Sequence, residues 1–229
     1  MLLLYQEQDG FLFNSDSHYL YDFIAGLNPR GEMLDVGSGC GILGLLLARD
    51  FRVSLTSIDV QKNSCFLTKQ NSAVNSIMTD VLEGDFVKYQ FDKRFDWIVS
   101  NPPYYHDSVI KSENTKLNIS RYESSLKLKD FIKKSNSILK PKGHLVFCYD
   151  AKRVQDIFCL LKEFKLNPVD VRFVYGGSKK QSHLVFVHAR KSSNSPTVIH
   201  PPLIASEGGE FTDEVKEIYK KTNTYSIKF

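Results

Sequence analysis

An α/β fold with a mostly parallel sheet and helices on both faces is predicted by three observations. From Glu32 onward, short apolar runs alternate with longer amphipathic ones; a glycine-rich turn, Gly37-Ser38-Gly39-Cys40-Gly41, stands where the first apolar run gives way to the first amphipathic one; and the last two apolar runs are parted only by Gly176-Gly177-Ser178. Such alternation is the signature of β-α-β units. The short final connection pairs the last two strands antiparallel.

In order along the chain, the apolar runs predict strands at 32–36, 53–59, 79–82, 95–100, 143–149, 169–175 and 182–190, seven in all. Helical periodicity places helices between them at 42–50, 61–75, 125–139 and 151–164. Lys140-Pro141-Lys142-Gly143 is a turn that stops the helix before it. Residues 1–30 are read as an N-terminal extension, and Ser192 to Gly209, rich in Ser, Pro and Gly, as a surface loop leading to a short amphipathic helix near 211–221. The whole, residues 1–229, is expected to be one domain.

A chain of 229 residues with 42% apolar content can bury one sizeable core. The longest apolar runs, Leu2 to Tyr5 and Ile42 to Ala48, fall far short of the roughly 20 residues that span a bilayer. No basic segment followed by an apolar stretch opens the chain, so a cytoplasmic location is expected. Cys40, Cys65, Cys148 and Cys159 form no Cys-x-x-Cys pair, and the six histidines show no ligand spacing. Reduced thiols and no metal follow.

The net charge of +4 is unevenly spread. Nine Lys or Arg face three acids between Lys111 and His144, and Lys179, Lys180, Arg190 and Lys191 stand in an acid-free stretch from Gly176. Segregated positive charge points to a polyanion, although lysines also serve solubility.

Glycines at 37, 39 and 41 let the backbone turn tightly and bring N–H groups close to a ligand. Dinucleotide-binding turns read Gly-x-Gly-x-x-Gly and hold a pyrophosphate. Here the spacing is Gly-x-Gly-x-Gly and Asp35 precedes it, an acid that repels phosphate and attracts an ammonium group. S-adenosylmethionine (SAM) carries such an ammonium and no phosphate. Asp59 ends the next strand, where a carboxylate can accept both ribose hydroxyls, and Asp85 ends the third, placed to accept from an adenine amine while Phe86 packs near the ring. Each Asp alone also reads as a helix cap or turn former. Three at consecutive strand ends share one edge of the sheet.

Ser100-Asn101-Pro102-Pro103-Tyr104 follows the fourth strand. Two successive prolines make a rigid loop with free carbonyls. The Asn101 side-chain oxygen and the Pro102 carbonyl can take both hydrogens of an amine and turn its lone pair toward a methyl donor, with Tyr104 as a flat face for a base. On its own, Asn-Pro-Pro-Tyr is equally a turn with a surface aromatic.

The segments DVGSGCGILGLLLAR, SIDV and EGDF resemble those of the class I SAM-dependent methyltransferases, Rossmann-like proteins with a seven-stranded sheet and one antiparallel strand. That resemblance implies SAM as cofactor, held by Asp35, Gly37, Gly39, Gly41, Asp59, Val60, Asp85, Phe86 and Asn101. The Asn-Pro-Pro-Tyr segment is similar to the motif of enzymes that methylate planar amines, and implies a catalytic role for Asn101, Pro102, Pro103 and Tyr104.

Within that group the chain resembles small bacterial tRNA adenine-N6 methyltransferases acting beside the valine-tRNA anticodon. Phe11 to Ser17, Ser120-Arg121-Tyr122-Glu123, Leu139 to Gly143 and Ser178 to Arg190 carry the likeness. It implies tRNA as partner and an N-terminal cofactor contact at Asp16, where the family has Asp-Gly and this chain Asp16-Ser17. In the basic segment, Arg121 is read as an RNA phosphate contact or a loop-ordering residue, with a helix-entry salt bridge as the alternative; Lys179 and Lys180 are read as RNA contacts, with a solvated turn as the alternative. A monomer is expected. A glutamine-N5 or ribosomal-RNA guanine-N2 methyltransferase, or a non-catalytic RNA-binding scaffold, are the alternatives.

Overall fold

The structure is a computed structural model and describes residues 1–7, 13–102 and 126–228. Strand β1 (Leu2–Gln6) and helix α1 (Ser15–Ala25) come first. The α/β alternation follows as β2 (Gly31–Val36), α2 (Ile42–Asp50), β3 (Val53–Asp59), α3 (Lys62–Val74), β4 (Thr79–Glu83) and β5 (Phe95–Ser100). Then come α4 (Leu128–Ile138), β6 (Leu139–Asp150), a 3-10 turn at Ala151–Arg153, α5 (Val154–Glu163), β7 (Leu166–Tyr175) and β8 (Ser182–Lys191).

The strands lie in the order β7-β8-β6-β5-β2-β3-β4. β8 runs antiparallel to both its neighbours, and the other pairs are parallel. This is the predicted seven-stranded sheet with one reversed strand. Because successive residues of a strand face opposite sides, Trp97 and Val99 of β5 join Val146 of β6 in a core with α1 and α2, while Ile98 joins Leu145 and Phe147 in a core with α4 and α5. Each fully buried Leu, Ile or Phe in these layers contributes about 1.5–3 kcal/mol. Gly44 lets α2 approach the sheet closely, since a Cβ there would lie 2.8 Å from an Asp35 carboxylate oxygen and 2.9 Å from Leu55.

The chain ends depart from expectation. The first thirty residues are not an extension: β1 pairs in parallel with a last strand, β13 (Thr224–Lys228), Leu2 opposite Thr224 and Gln6 opposite Lys228. On its other side β1 is held by two asparagines of the α3 end. Asn71 and Asn75 each accept from and donate to the β1 backbone, at Tyr5 and Leu3 respectively, with distances of 2.7–3.1 Å. Spaced four apart on one helix face, they act as a substitute strand edge. α1, absent from the expected elements, begins at the cap Asn14, whose side chain accepts from the Asp16 N–H.

Two smaller differences are local. Helix α4 stops at Ile138, as the Lys140–Gly143 turn requires, but Leu139 already pairs with Phe95 and the register then shifts, with Lys142 at φ 62°. The tail expected as a loop instead adds short strands to the β7 edge, β9 (Val198–Ile199) and β10 (Leu203–Ile204), and a small hairpin of β11 (Ser206–Glu207) and β12 (Glu210–Phe211). The final helix, α6 (Asp213–Thr222), is capped by Thr212, has acids in its first turn and Lys220 and Lys221 in its last, which suits its dipole. Among the described residues no helix is long and apolar enough to cross a membrane.

Candidate active site

The carboxyl ends of β2, β3, β4 and β5 open on one cleft, the usual place for a ligand in an open α/β sheet. β2 ends at Val36, and the chain reverses through Gly37 at φ 70° and Gly39 at φ 58° before Gly41, at φ 87°, caps α2. These left-handed angles favour glycine. A Cβ on Gly37 or Gly39 would meet nothing within 4 Å, so both glycines leave room on the cleft side, whereas one on Gly41 would press on Leu45 and Thr68 at 3.1 Å. Gly37 and Gly39 line the cleft, and Gly41 serves the turn behind it.

Two buried carboxylates form the floor. Asp35 is 1% exposed and accepts from the Gly44 N–H at 3.1 Å. Burial pushes its pKa up to about 7; the Gly44 bond works against this and the Asp59 charge adds to it. Asp35 is therefore partly protonated near neutrality, and a cation in the cleft draws it toward the carboxylate. Asp59 takes the Gly39 N–H on one oxygen at 2.9 Å and the Gln61 N–H on the other at 2.8 Å, and burial holds its carboxyl above the ordinary range. It both closes a turn and lines the cleft. Asp85 does the same, accepting from the Val87 N–H at 2.9 Å. Phe86 beside it is buried against Phe91 and Phe131, and Val60 completes this wall.

Asn101 follows β5 at the cleft. Its Nδ2 donates to Ser17 Oγ at 3.2 Å, and its Oδ1 accepts from Cys148 Sγ at 2.8 Å. Pro102 is buried and is not part of the cleft wall. Pro103, Tyr104 and Arg121 lie outside the described residues. Asp16, expected at the cofactor, is not in the wall either; Phe13 and Ser17 are. The Asp16 carboxylate accepts from Asn14 Nδ2 at 2.8 Å, and its charge reaches Cys148 behind Asn101. Lys179 and Lys180 are exposed in the turn after β7, at the same edge of the sheet but three strands from β5, about 15 Å at ordinary strand spacing.

Sequence reasoning passed over Phe13, Ser17, Gln61, Leu126 and Cys148. Only Asn14, a cap residue ahead of a helix, signalled that the segment near Ser17 turns inward.

Residues 17–167 match the family described as methyltransferase small domain, well over half of the chain. The chain belongs to that family. Among relatives of this methyltransferase, a tRNA1(Val) (adenine(37)-N6)-methyltransferase of Parabacteroides distasonis is 31% identical over 60% of this chain and 59% of its own length. One of the same name from Glaesserella parasuis is 27% identical over 92% of this chain and 91% of its own. Among solved structures, a predicted O-methyltransferase from Agrobacterium tumefaciens superposes with a TM-score of 0.69 at 18% identity, covering 92% of this chain and 98% of that one. It shows the shared class I fold.

The methyl donor of this family member is SAM, and the cleft suits it. None of the nineteen described residues that line the cleft is Lys, Arg or His, while Asp35, Asp59 and Asp85 are all present. Such a wall disfavours a phosphate-bearing nucleotide and favours an adenosine that carries positive charge.

Proposed function

We propose that this methyltransferase acts on the exocyclic N6 amine of an adenine in RNA, a tRNA near its anticodon, as a single catalytic unit. The observation that carries this reading is the Asn101 carboxamide, held at the end of β5 on the same cleft as the glycine turn and its carboxylates. SAM supplies an electrophilic methyl group on a sulfonium. Asp59, on the cleft wall at the end of β3, accepts ribose hydroxyls. The charged amino-acid end lies in the room that Gly37 and Gly39 leave, where its ammonium draws Asp35 toward the carboxylate form. Asp85 accepts from the adenine amine of the cofactor, between Val60 and Phe86.

Toward the substrate, Asn101 Oδ1 and the Pro102 carbonyl each take one amine hydrogen. That aims the nitrogen lone pair at the methyl group; orientation does the work that a strong base does elsewhere. Pro103 stiffens the loop and Tyr104 stacks on the extruded base, both assigned from the sequence. Lys179, Lys180 and Arg121 contact RNA phosphates. The names of the relatives at 31% and 27% identity support tRNA and adenine N6.

Single-turnover methylation of tRNA at saturating SAM tests this reading. Asn101→Ala is expected to leave SAM affinity unchanged and to slow transfer about thirty- to a thousandfold, the loss of one positioned acceptor worth about 2–4 kcal/mol. Transfer at the wild-type rate would remove the amine-aiming role.

A further inference from the structure

Asn101 does not stand alone at the cleft. Its carboxamide is bracketed from two elements that the sequence places far away: Ser17 in the first turn of α1 and Cys148 near the end of β6, 84 and 47 residues distant. The sheet register explains the second. Ser100 lies opposite Phe147, so the next residue of each strand, Asn101 and Cys148, are neighbours across the same pair. Cys148 faces the α1 side of the sheet with Val146, and there the start of α1 closes over it.

We infer that Ser17 and Cys148 are positioning residues which clamp the Asn101 carboxamide in the orientation used for methyl transfer, Cys148 as a thiol donor and Ser17 as an acceptor. The inference rests on the assignment of Asn101 to the substrate amine. Asn has two side-chain torsions, and an amide free to rotate presents its NH₂ as readily as its oxygen. With Cys148 Sγ–H on Oδ1, one lone pair of that oxygen is used and one remains for an amine hydrogen. With Ser17 Oγ on Nδ2, the NH₂ end is tied away from that position. Both partners are buried, Ser17 at 4% and Cys148 at 0% exposure, where a hydrogen bond is stronger than in water.

Cys148 can play this part only as a thiol, because a thiolate would repel the amide oxygen. Burial pushes its pKa far up, and the nearby Asp16 charge pushes in the same direction. Asp16, which does not line the cleft, adds to an effect that burial dominates. The buried cysteine is a member of the substrate-aiming group rather than filler in the core.

The test measures single-turnover tRNA methylation at saturating SAM and RNA for Cys148→Ala, Cys148→Ser, Ser17→Ala and Asn101→Ala, and for Cys148→Ala combined with Asn101→Ala, with SAM affinity and Tm recorded for each. Cys148→Ala and Ser17→Ala should each slow transfer about three- to tenfold, the scale of one lost hydrogen bond, while SAM affinity holds. Cys148→Ser restores a donor and should recover most of the rate. Once Asn101 is Ala, Cys148→Ala should cost nothing further.

Wild-type rates in both single clamp variants, a Cys148→Ser as slow as Cys148→Ala, or a full additional loss in the double variant would each overturn the clamp. Should Cys148→Ala fail to fold, Ser17→Ala on the cleft wall decides. A slow Asn101→Ala beside fast clamp variants sinks the clamp alone. A fast Asn101→Ala sinks the amine assignment and the clamp with it.

Discussion

Asp35 and Asp170 are carboxylates of the same sheet, on β2 and β7, and their surroundings treat them in opposite ways. Asp35 is buried with one backbone N–H and no cation among the described residues that share its cleft, so its charged form is poorly supported. Asp170 accepts from His188 Nδ1 and His200 Nε2, both at 2.8 Å, and His188 in turn meets His144 Nδ1 through its Nε2 at 2.8 Å, with Trp97 stacked on the His144 ring at 3.9 Å. Burial raises Asp170, but the bonds from His200 and His188 outweigh it and leave its pKa lowered. Burial lowers both His188 and His144, the latter to about 3, so the rings are neutral and each proton in the chain has an acceptor. One region is satisfied within itself; the other needs a cation from outside. The difference separates a buried polar group with partners inside the fold from one that a cationic ligand would complete.

The comparison breaks most visibly at Asp170. Asp170→Ala leaves the buried His188 ring without its acceptor, and should cost about 2–3 kcal/mol, a fall of about 5–10 °C in Tm by calorimetry. SAM affinity should not move. A variant that keeps its Tm but loses the cofactor would invert the assignment.

A smaller effect sharpens the other side. A cation beside Asp35 favours the carboxylate, so binding SAM below pH 7 drives a proton off. SAM affinity should therefore rise with pH from about 5 toward 7, by at most about tenfold per unit, and flatten above the folded pKa of about 7. Asp35→Asn should abolish the slope. Stability without ligand responds with opposite signs in the two regions. The raised pKa of Asp35 gives stability that is present below about 4 and lost as pH rises through 7, while the lowered His144 and His188 give stability present above 6.5 and lost as pH falls. Isothermal titration from pH 5 to 8 reads the first effect, and a flat profile in the wild type would count against a cation-seeking Asp35.

The half of the sheet from β2 to β5 was legible because each of its signals is local. Apolar runs such as Val53 to Ile58 are followed by an acid where the strand must end, and three glycines stand at positive φ where the loop turns. Asn101 was legible for the same reason, as a residue type in a short motif. What escaped the sequence joins distant segments. The pairing of β1 with β13 spans the chain, and Asn71 and Asn75 look like ordinary polar residues of a helix until their carboxamides meet β1. Cys148 and Ser17 were hidden likewise, since only the β5–β6 register and the α1 entry bring them to Asn101. Asp16 was placed at the cofactor by analogy; its carboxylate accepts from Asn14 Nδ2 and it is not among the described residues of the cleft wall.

Methylation of an adenine amine at the Asn101 end of this cleft is most directly tested by the product. Unmodified tRNA transcripts would be incubated with the protein and methyl-labelled SAM, digested to nucleosides and resolved by mass spectrometry. The expected result is label in N6-methyladenosine, absent when Asn101→Ala replaces the wild type over the same interval. Label in a guanine, label on protein glutamine when release factors are supplied instead, or no transfer to any RNA would contradict it.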